Sequence, residues 1–388
     1  MIRVTFLVHS LRFGGAEVQL SALARGLDRE AFRPTIISFY DDGDLIDEIR
    51  QSGITVVTLG MRGRHGLTGF CLRLVRALRA SRPDIVYSFL DFPNVVAAMM
   101  KPFLRGSRLV WGIRASDMQL KDRNRTWRAI FALERRLAGA VDLIICNSWA
   151  GRRHLENCRF PNDAMTVVAN GIDTDRFHPD PAARGRARSA LGFADDHIVI
   201  GLVARLDPMK DHLTFLRAAA ELADDQPAVR FVCVGGGDAQ YASELRRQGV
   251  ALGLGDRIIW TGARGDVPEL LNAFDIATLT SAYGEGFPNA VGEGMATGLP
   301  CVTTDVGDAA SIVGDIGAVV PIASPAELAA AWRWLVEMSG PARRLVGEAG
   351  RNRILARFPR KEMVSETSRQ LRSVLQQFSA GTAVRELG

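Results

Sequence analysis

Residues Ser281–Gly307 read SAYGEGFPNAVGEGMATGLPCVTTDVG. An apolar run of strand length, Ile276–Leu279, precedes the segment, and a second one, Cys301–Thr304, lies inside it. Between them, Pro288 suits the first turn of a helix, where its missing N–H is not needed. Gly298 and Pro300 then end that helix. Strand, loop, helix and strand in this order make a βαβ unit with parallel strands. Glu285 stands in a Gly-flanked loop ahead of the helix, and Glu293 projects from the helix itself. Free N–H groups of Phe287, Asn289 and Ala290 at the helix start offer a seat for a diphosphate. Glu293 suits hydrogen bonds from two vicinal hydroxyls, as on a ribose. Taken alone, a carboxylate on such a helix is a solvated side chain; the Gly-flanked loop and its place after a strand favour the ligand.

The same alternation extends in both directions. Strand-length runs at Ile2–Val8, Thr35–Phe39, Thr55–Leu59, Ile85–Phe89, Arg108–Ile113 and Leu143–Cys146 are separated by amphipathic stretches such as Glu17–Leu27 and Trp127–Ala138. The pattern stops at His178–Arg188, HPDPAARGRAR, whose prolines, glycine and charges read as a linker. It resumes with Ile198–Val203, Arg230–Val234 and Ile258–Trp260, and the chain ends in helical periodicity over Arg343–Phe378. The reading is α/β: doubly wound parallel-sheet domains at 1–180 and 190–360, then a helical tail at 361–388. Ligands of such sheets bind at the carboxyl ends of the strands.

Gly201–His212, GLVARLDPMKDH, supplies a second group at such an end. Arg205 follows the strand and Lys210 precedes a helix; two cations there suit a diphosphate leaving group. The plainer reading is a βα loop with exposed charges and a turn at Asp207-Pro208. Phe13–Glu17, FGGAE, follows the first strand, and its glycines serve either a close ligand approach or a tight turn. Neither this segment nor Gly235-Gly236-Gly237-Asp238 completes the Gly-x-Gly-x-x-Gly fingerprint, which disfavours a nicotinamide dehydrogenase.

Bulk properties narrow the class. The 388 residues are 47% hydrophobic and 23% charged, as in globular domains. Five scattered cysteines without a Cys-x-x-Cys pair argue against a disulfide framework or a zinc ribbon and for a reducing compartment. The apolar start MIRVTFLVHS is too short for a signal peptide, and no run spans a bilayer. The net charge of +5 is uneven: residues 1–180 carry 26 Lys/Arg against 19 Asp/Glu, residues 181–388 carry 22 against 24. Clusters at Arg62/Arg64, Lys121/Arg123/Arg125/Arg128, Arg135/Arg136 and Arg152/Arg153 account for the excess. They are solvated helix faces or an attraction to an anionic membrane or acceptor. With 7% aromatics and no accompanying motif, nucleic acid is not a partner.

GGAE (Gly14–Glu17), ANGID (Ala169–Asp173), the Arg205/Lys210 pair, VGGGD (Val234–Asp238), TGARGDVPELLNAFDI (Thr261–Ile276) and an E-x7-E motif from Glu285 to Glu293 follow one another in this order. In that order they resemble the retaining glycosyltransferases of family 4, the group 1 family with the GT-B fold, over nearly the whole chain. The resemblance implies two Rossmann-like domains facing a cleft, with the tail helix crossing back onto the first. It implies a retaining, metal-independent hexosyl- or N-acetylhexosaminyl-transferase that uses a nucleotide sugar, UDP-sugar favoured, and needs no cofactor. It implies Arg205, Lys210 and Glu285 as catalytic residues. The donor would be held by these with Gly14, Gly15, Arg264, Gly286, Phe287, Pro288, Asn289 and Glu293. A glycan or lipid-linked acceptor in surface polysaccharide or glycolipid biosynthesis would bind the first domain. Such an enzyme works in the cytoplasm, and contact with the inner face of the cell membrane is left open. The rivals are a non-catalytic nucleotide-sugar-binding protein and another GT-B enzyme, such as a sugar-nucleotide epimerase or a phosphorylase, though no segment announces the pyridoxal-binding lysine of the latter.

Two stretches depart from the family pattern. WGIRASD, Trp111–Asp117, lacks the histidine many members place near the sugar. Here Arg114 either binds the sugar or an anionic acceptor, or pairs with Asp117, and His9 joins them as an acceptor or sugar contact or a core residue. Val306-Gly307-Asp308 replaces a stretch that often carries a carboxylate two residues further on. The Asp-x-Asp triplets Asp42–Asp44 and Asp173–Asp175 read as turns rather than metal ligands. His154 and His212 read as helix-surface residues, Trp332 and Trp334 as packing, and Cys146 and Cys301 as strand core.

Overall fold

Alternation along the first strand, β1 (Ile2–Val8), sets the frame. Val4, Phe6 and Val8 face a core that includes Leu20 and Leu23, while Leu7 faces a second core with Phe39, Phe70 and Trp111. A strand buried on both faces belongs in the interior of a parallel sheet. The computed structural model describes residues 1–61, 66–104, 106–117, 125–161 and 165–385, without the side chains of residues 67 and 377–385. Of the basic clusters, Arg62, Arg64, Lys121 and Arg123 lie outside the described residues.

Among the described residues, β1 is joined by β2 (Phe32–Ser38), β3 (Thr55–Thr58), β4 (Ile85–Phe89), β5 (Arg108–Ile113), β6 (Leu143–Cys146) and β7 (Met165–Val167). These form one parallel sheet in the order β3-β2-β1-β4-β5-β6-β7. A second parallel sheet contains β8 (Ile198–Val203), β9 (Val229–Val234), β10 (Ile258–Gly262), β11 (Ile276–Leu279), β12 (Cys301–Thr304) and β13 (Ala318–Val320). Its order is β10-β9-β8-β11-β12-β13. Each sheet reverses its winding beside its first strand, between β1 and β4 and between β8 and β11. A core on the second sheet gathers Ile200, Leu202, Phe215, Phe231 and Trp332. Trp332 is fully buried and donates from Nε1 to Thr278 Oγ1 at 3.0 Å, whereas Trp334 is exposed. Cys146 and Cys301 are buried, and all five cysteines are free thiols.

The chain divides into one unit of Met1–Gly171 completed by the chain from Arg360 on, and another of Ile172–Pro359. Ile172 bridges Pro359 in parallel, and its N–H donates to the Phe358 carbonyl at 2.8 Å. In the first unit, the helix Arg360–Arg385 packs on the helix Gly15–Gly26. There Gly26 leaves room for Val364, whose Cγ2 would lie 2.7 Å from an added Cβ.

The run expected to be a linker is a helix, Pro181–Ala190, within the second unit. Asp180 Oδ1 accepts the N–H groups of Ala182 and Ala183 at 2.9 and 3.1 Å, and Pro181 is the first helical residue. Asp-Pro here is a cap and a first turn, not loop punctuation. The chain therefore passes between the units at Gly171/Ile172 and Pro359/Arg360, not across residues 180–190. No described helix is long and apolar enough to cross a membrane.

Candidate active site

The carboxyl ends of β8 and β11 flank the winding reversal of the second sheet, the position at which open α/β sheets bind ligands. The loop leaving β8 runs against the glycines that follow β9. Leu206 donates its N–H to the Gly236 carbonyl at 2.8 Å, and a Cβ on Gly235 would meet the Ala204 carbonyl oxygen at 1.9 Å. Only glycine permits that approach, and Gly235 also has φ +155°. Arg205 rides on this loop with 67% of its side chain exposed, and its nearest carboxylate, Asp207, is 3.7 Å away. Asp207 accepts the Met209 N–H at 2.9 Å and shapes the turn Pro208–Lys210. Asp211, at φ +44°, caps the helix His212–Asp225 through the Thr214 N–H (3.1 Å) and hydroxyl (2.6 Å). Two aspartates and a proline thus hold Lys210 in place.

Lys210 Nζ forms an ion pair with Glu285 Oε1, the two side chains being 15% and 9% exposed. The same carboxylate oxygen accepts the Ser281 hydroxyl at 2.6 Å. Backbone ties knit the two loops: Thr280 Oγ1 donates to the Lys210 carbonyl (2.8 Å) and the Ala282 N–H to the Met209 carbonyl (2.8 Å). On the far side, the Asp308 N–H donates to the Gly286 carbonyl at 2.9 Å. Gly307, at φ +59°, lies so close that a Cβ would be 2.4 Å from the Glu285 carbonyl oxygen. Val306-Gly307-Asp308, unusual as sequence, is therefore the seat of the Glu285 loop.

The helix after this loop is Asn289–Ala296, with Pro288 as its cap residue rather than its first residue. Phe287 is buried against Phe358, ring centroids 5.3 Å apart. Glu293 is partly exposed; burial raises its carboxyl pKa to about 7, against the opposing charge of Arg176. Arg264 is exposed and held by Asp266 through Nε–Oδ1 (2.8 Å) and Nη2–Oδ2 (2.5 Å). His212 is not on a helix surface: it is fully buried beside Trp260, ring centroids 6.5 Å apart, with neither ring nitrogen hydrogen-bonded among the described residues. Burial, with the charge of Lys210, pushes its pKa down to about 4. The left-handed turn at Asp211 directs this first helical residue inward.

On the first sheet, Gly14 caps the helix that begins at Gly15, and Asp44 accepts the Phe13 N–H at 2.9 Å. Asp42 pairs with Arg12. His9 rests against Tyr40 and Phe92, centroids 4.8 and 6.0 Å away, and partial burial lowers its pKa against the charge of Asp42. A cavity of about 160 Å³ is lined by His9, Ser10, Arg12, Tyr40 and Asp42. Arg114 does not pair with Asp117. Its Nη2 donates to the Tyr87 hydroxyl at 2.9 Å and Nη1 to Asn170 Oδ1 at 3.4 Å, and the guanidinium lies 4.3 Å from the Phe89 ring centroid. Asp117 is exposed just beyond.

Lys210 and Glu285 thus touch beside the winding reversal of the second sheet, with Arg205 on the loop after β8 and Glu293 on the helix after β11. Gly14, Gly15, His9, Arg114 and Asp117 sit at the carboxyl ends of the other. The sequence reading gave no role to Ser281, Tyr87 and Asn170, although Ser281 and Asn170 lie inside quoted motifs; each hydrogen-bonds a charged side chain, Ser281 that of Glu285 and the other two that of Arg114. Among the described residues no group of three or more His, Cys, Asp or Glu side chains could hold a metal ion.

The family model described as Glycosyltransferase Family 4 matches residues 13–176, and that described as Glycosyl transferases group 1 matches residues 197–338. A D-inositol 3-phosphate glycosyltransferase of Geodermatophilus obscurus is 29% identical over 368 residues, 86% of this chain and 81% of that protein. A UDP-Gal:alpha-D-GlcNAc-diphosphoundecaprenol alpha-1,3-galactosyltransferase of Escherichia coli is 32% identical over 144 residues, 37% of each chain. Among solved structures, Anabaena Alr3699/HepE in complex with UDP and glucose superposes with a TM-score of 0.86 at 25% identity, covering 96% of this chain and 100% of that one.

Proposed function

The chain is a glycosyltransferase of family 4, the group 1 family, with the GT-B fold, and from that premise we propose that it transfers a sugar from a UDP-sugar to a hydroxyl of a glycan or lipid-linked acceptor. The observation that carries the reading is the buried Lys210–Glu285 ion pair joining the loops that leave β8 and β11, with exposed Arg205 on the same β8 loop as Lys210. As the bond from the anomeric carbon to the diphosphate breaks, negative charge collects on the leaving phosphate. Arg205 and Lys210 neutralise it, an effect worth several kcal/mol where the cations are already in place (about 3–4 for one such donor). The acceptor hydroxyl attacks from the leaving-group side and gives its proton to a phosphate oxygen, so configuration is retained without a metal. Glu285 holds Lys210 and faces the sugar, Glu293 takes the ribose hydroxyls, and backbone N–H groups at Phe287 and Asn289 take phosphate oxygens. The loop at Arg264 lies against the base.

UDP is favoured because the HepE complex contains UDP and glucose and the Escherichia coli relative is named for UDP-Gal. A lipid-linked acceptor is favoured because that relative is named for a diphosphoundecaprenol acceptor. Peripheral membrane contact draws support from the helix Arg125–Leu137. Arg125, Arg128, Arg135 and Arg136 are exposed, while its one acid, Glu134, is buried and hydrogen-bonded by Asn94 at 2.9 Å. Burial and neighbouring Asp91 raise the Glu134 pKa well above the carboxylate range, so the exposed face is wholly cationic. The test is nucleoside diphosphate release over a panel of sugar nucleotides, with and without acceptor. Acceptor-dependent release supports transfer, and nucleotide binding without release from any donor refutes it. Sedimentation with anionic vesicles at low and high salt tests the membrane contact; no binding at low salt refutes that part.

A further inference from the structure

The Arg114 guanidinium is a half-buried cation surrounded by neutral groups. Tyr87 and Asn170 accept its hydrogen bonds and Phe89 lies under it, and no carboxylate pairs with it among the described residues. Its Nε is buried without a partner among the described residues. Tyr87 stays a phenol, because burial raises its pKa, and so supplies no negative charge. Neutral acceptors fix the plane of a guanidinium but do not compensate its charge, and an uncompensated cation out of water is costly to keep. A second orphan stands one strand over. β5 and β6 pair Ile113 with Cys146, and the next residue on each strand is Arg114 and Asn147. Asn147 is 2% exposed, its N–H is spent on the Ile113 carbonyl at 3.0 Å, and its Oδ1 is buried without a partner among the described residues. An oriented guanidinium one strand over from an idle acceptor oxygen suits an anionic group that carries a neighbouring hydroxyl.

We propose that Arg114 is a specificity-determining residue that receives one anionic group, a carboxylate or a phosphate, of a substrate of the transfer. The proposal rests on the transferase reading, and it commits to the chemistry of the group rather than to the donor or the acceptor as its bearer. Calorimetric binding to the full-length protein tests it in two arms. One arm compares UDP-glucuronate with UDP-glucose; the other compares glucose 1-phosphate and methyl glucuronide with methyl glucoside, in the presence of UDP. We expect the anionic probe to bind at least tenfold more tightly than its neutral counterpart in one arm. R114M abolishes that preference while leaving the neutral probe's affinity within twofold. R114K retains part of it, and Y87F, which removes the positioning hydrogen bond, reduces it. A structural role alone would shift both probes together. Equal binding of charged and neutral probes in both arms, or an unchanged preference in R114M, overturns the proposal. If UDP binds and the preference holds but no donor is ever turned over, the transferase reading fails and the anion site stands.

Discussion

Replacing Glu293 by glutamine removes a charge that the second unit strains to accommodate. An ordinary glutamate titrates at 4.5, whereas burial holds this one at about 7. Below pH 4.5 both folded and unfolded chains are protonated here, and the group contributes nothing. From there to about pH 7 the folded state keeps a proton that the unfolded chain has released, so stability falls as pH rises. Above the folded pKa the full penalty applies, about 3 kcal/mol at ~1.4 kcal/mol per tenfold change. Urea denaturation of wild type and Glu293→Gln at pH 4.5 and pH 8 isolates the effect, since every other titrating group is common to both. The variant should match wild type at pH 4.5 and exceed it by up to about 3 kcal/mol at pH 8. A ribose hydroxyl donating to Glu293 needs the carboxylate, so UDP affinity of wild type should rise about tenfold from pH 6 to pH 8. That rise should vanish in the variant. Parallel stability profiles for the two proteins would refute the burial argument, and a UDP affinity flat with pH in wild type would refute the ribose contact.

Three further outcomes follow from the same loops. Arg205→Ala should leave the urea midpoint unchanged, because the side chain is exposed and its Asp207 contact loose, while turnover falls about 10²- to 10³-fold; near-normal rates with a verified donor would remove Arg205 from the site. Lys210→Met should cost about 3–5 kcal/mol by stranding the buried Glu285 carboxylate, and adding Glu285→Gln should restore most of it; denaturation of the single and double variants decides. His212, held neutral down to about pH 4, should show no imidazole titration by NMR between pH 5 and 8. The unfolded imidazole protonates below its ordinary 6.5 while the folded one does not, so His212 makes stability fall as pH drops from about 6.5 toward 4, and His212→Gln should flatten that fall.

What was legible in the sequence was local. Strand-length runs such as Ile198–Val203 and Ile276–Leu279 coincide with β8 and β11 because parallel strands buried on both faces must be apolar throughout. The helix at Asn289 was visible because Pro288 and Gly298 act on their own neighbours. Non-local matters were hidden. Lys210 and Glu285 are 75 residues apart and meet only because β8 and β11 are neighbours. Arg114 could be paired on paper with Asp117, three residues on, when its partners are Tyr87 on β4 and Asn170 beyond the end of β7. His212 looked like a surface residue since nothing nearby in sequence foretells Trp260 above it. Asp180-Pro181 misled for another reason: the same pair ends one element in a loop and begins another as a cap.

The bridge between Ile172 and Pro359 bears on how the polypeptide could be cut. The second unit is an insertion: the chain leaves the first unit after Gly171 and re-enters it at Arg360, with both ends of the insertion already hydrogen-bonded to each other. Excising residues 172–359 therefore opens no long loop and frees two ends that the fold has tied, a small entropic change. The complementary fragment fares differently. Residues 1–171 alone would expose the face that Met363, Leu371 and Val374 cover. The second unit should be expressible as an autonomous module and the first only when its last helix is grafted back, directly after Gly171.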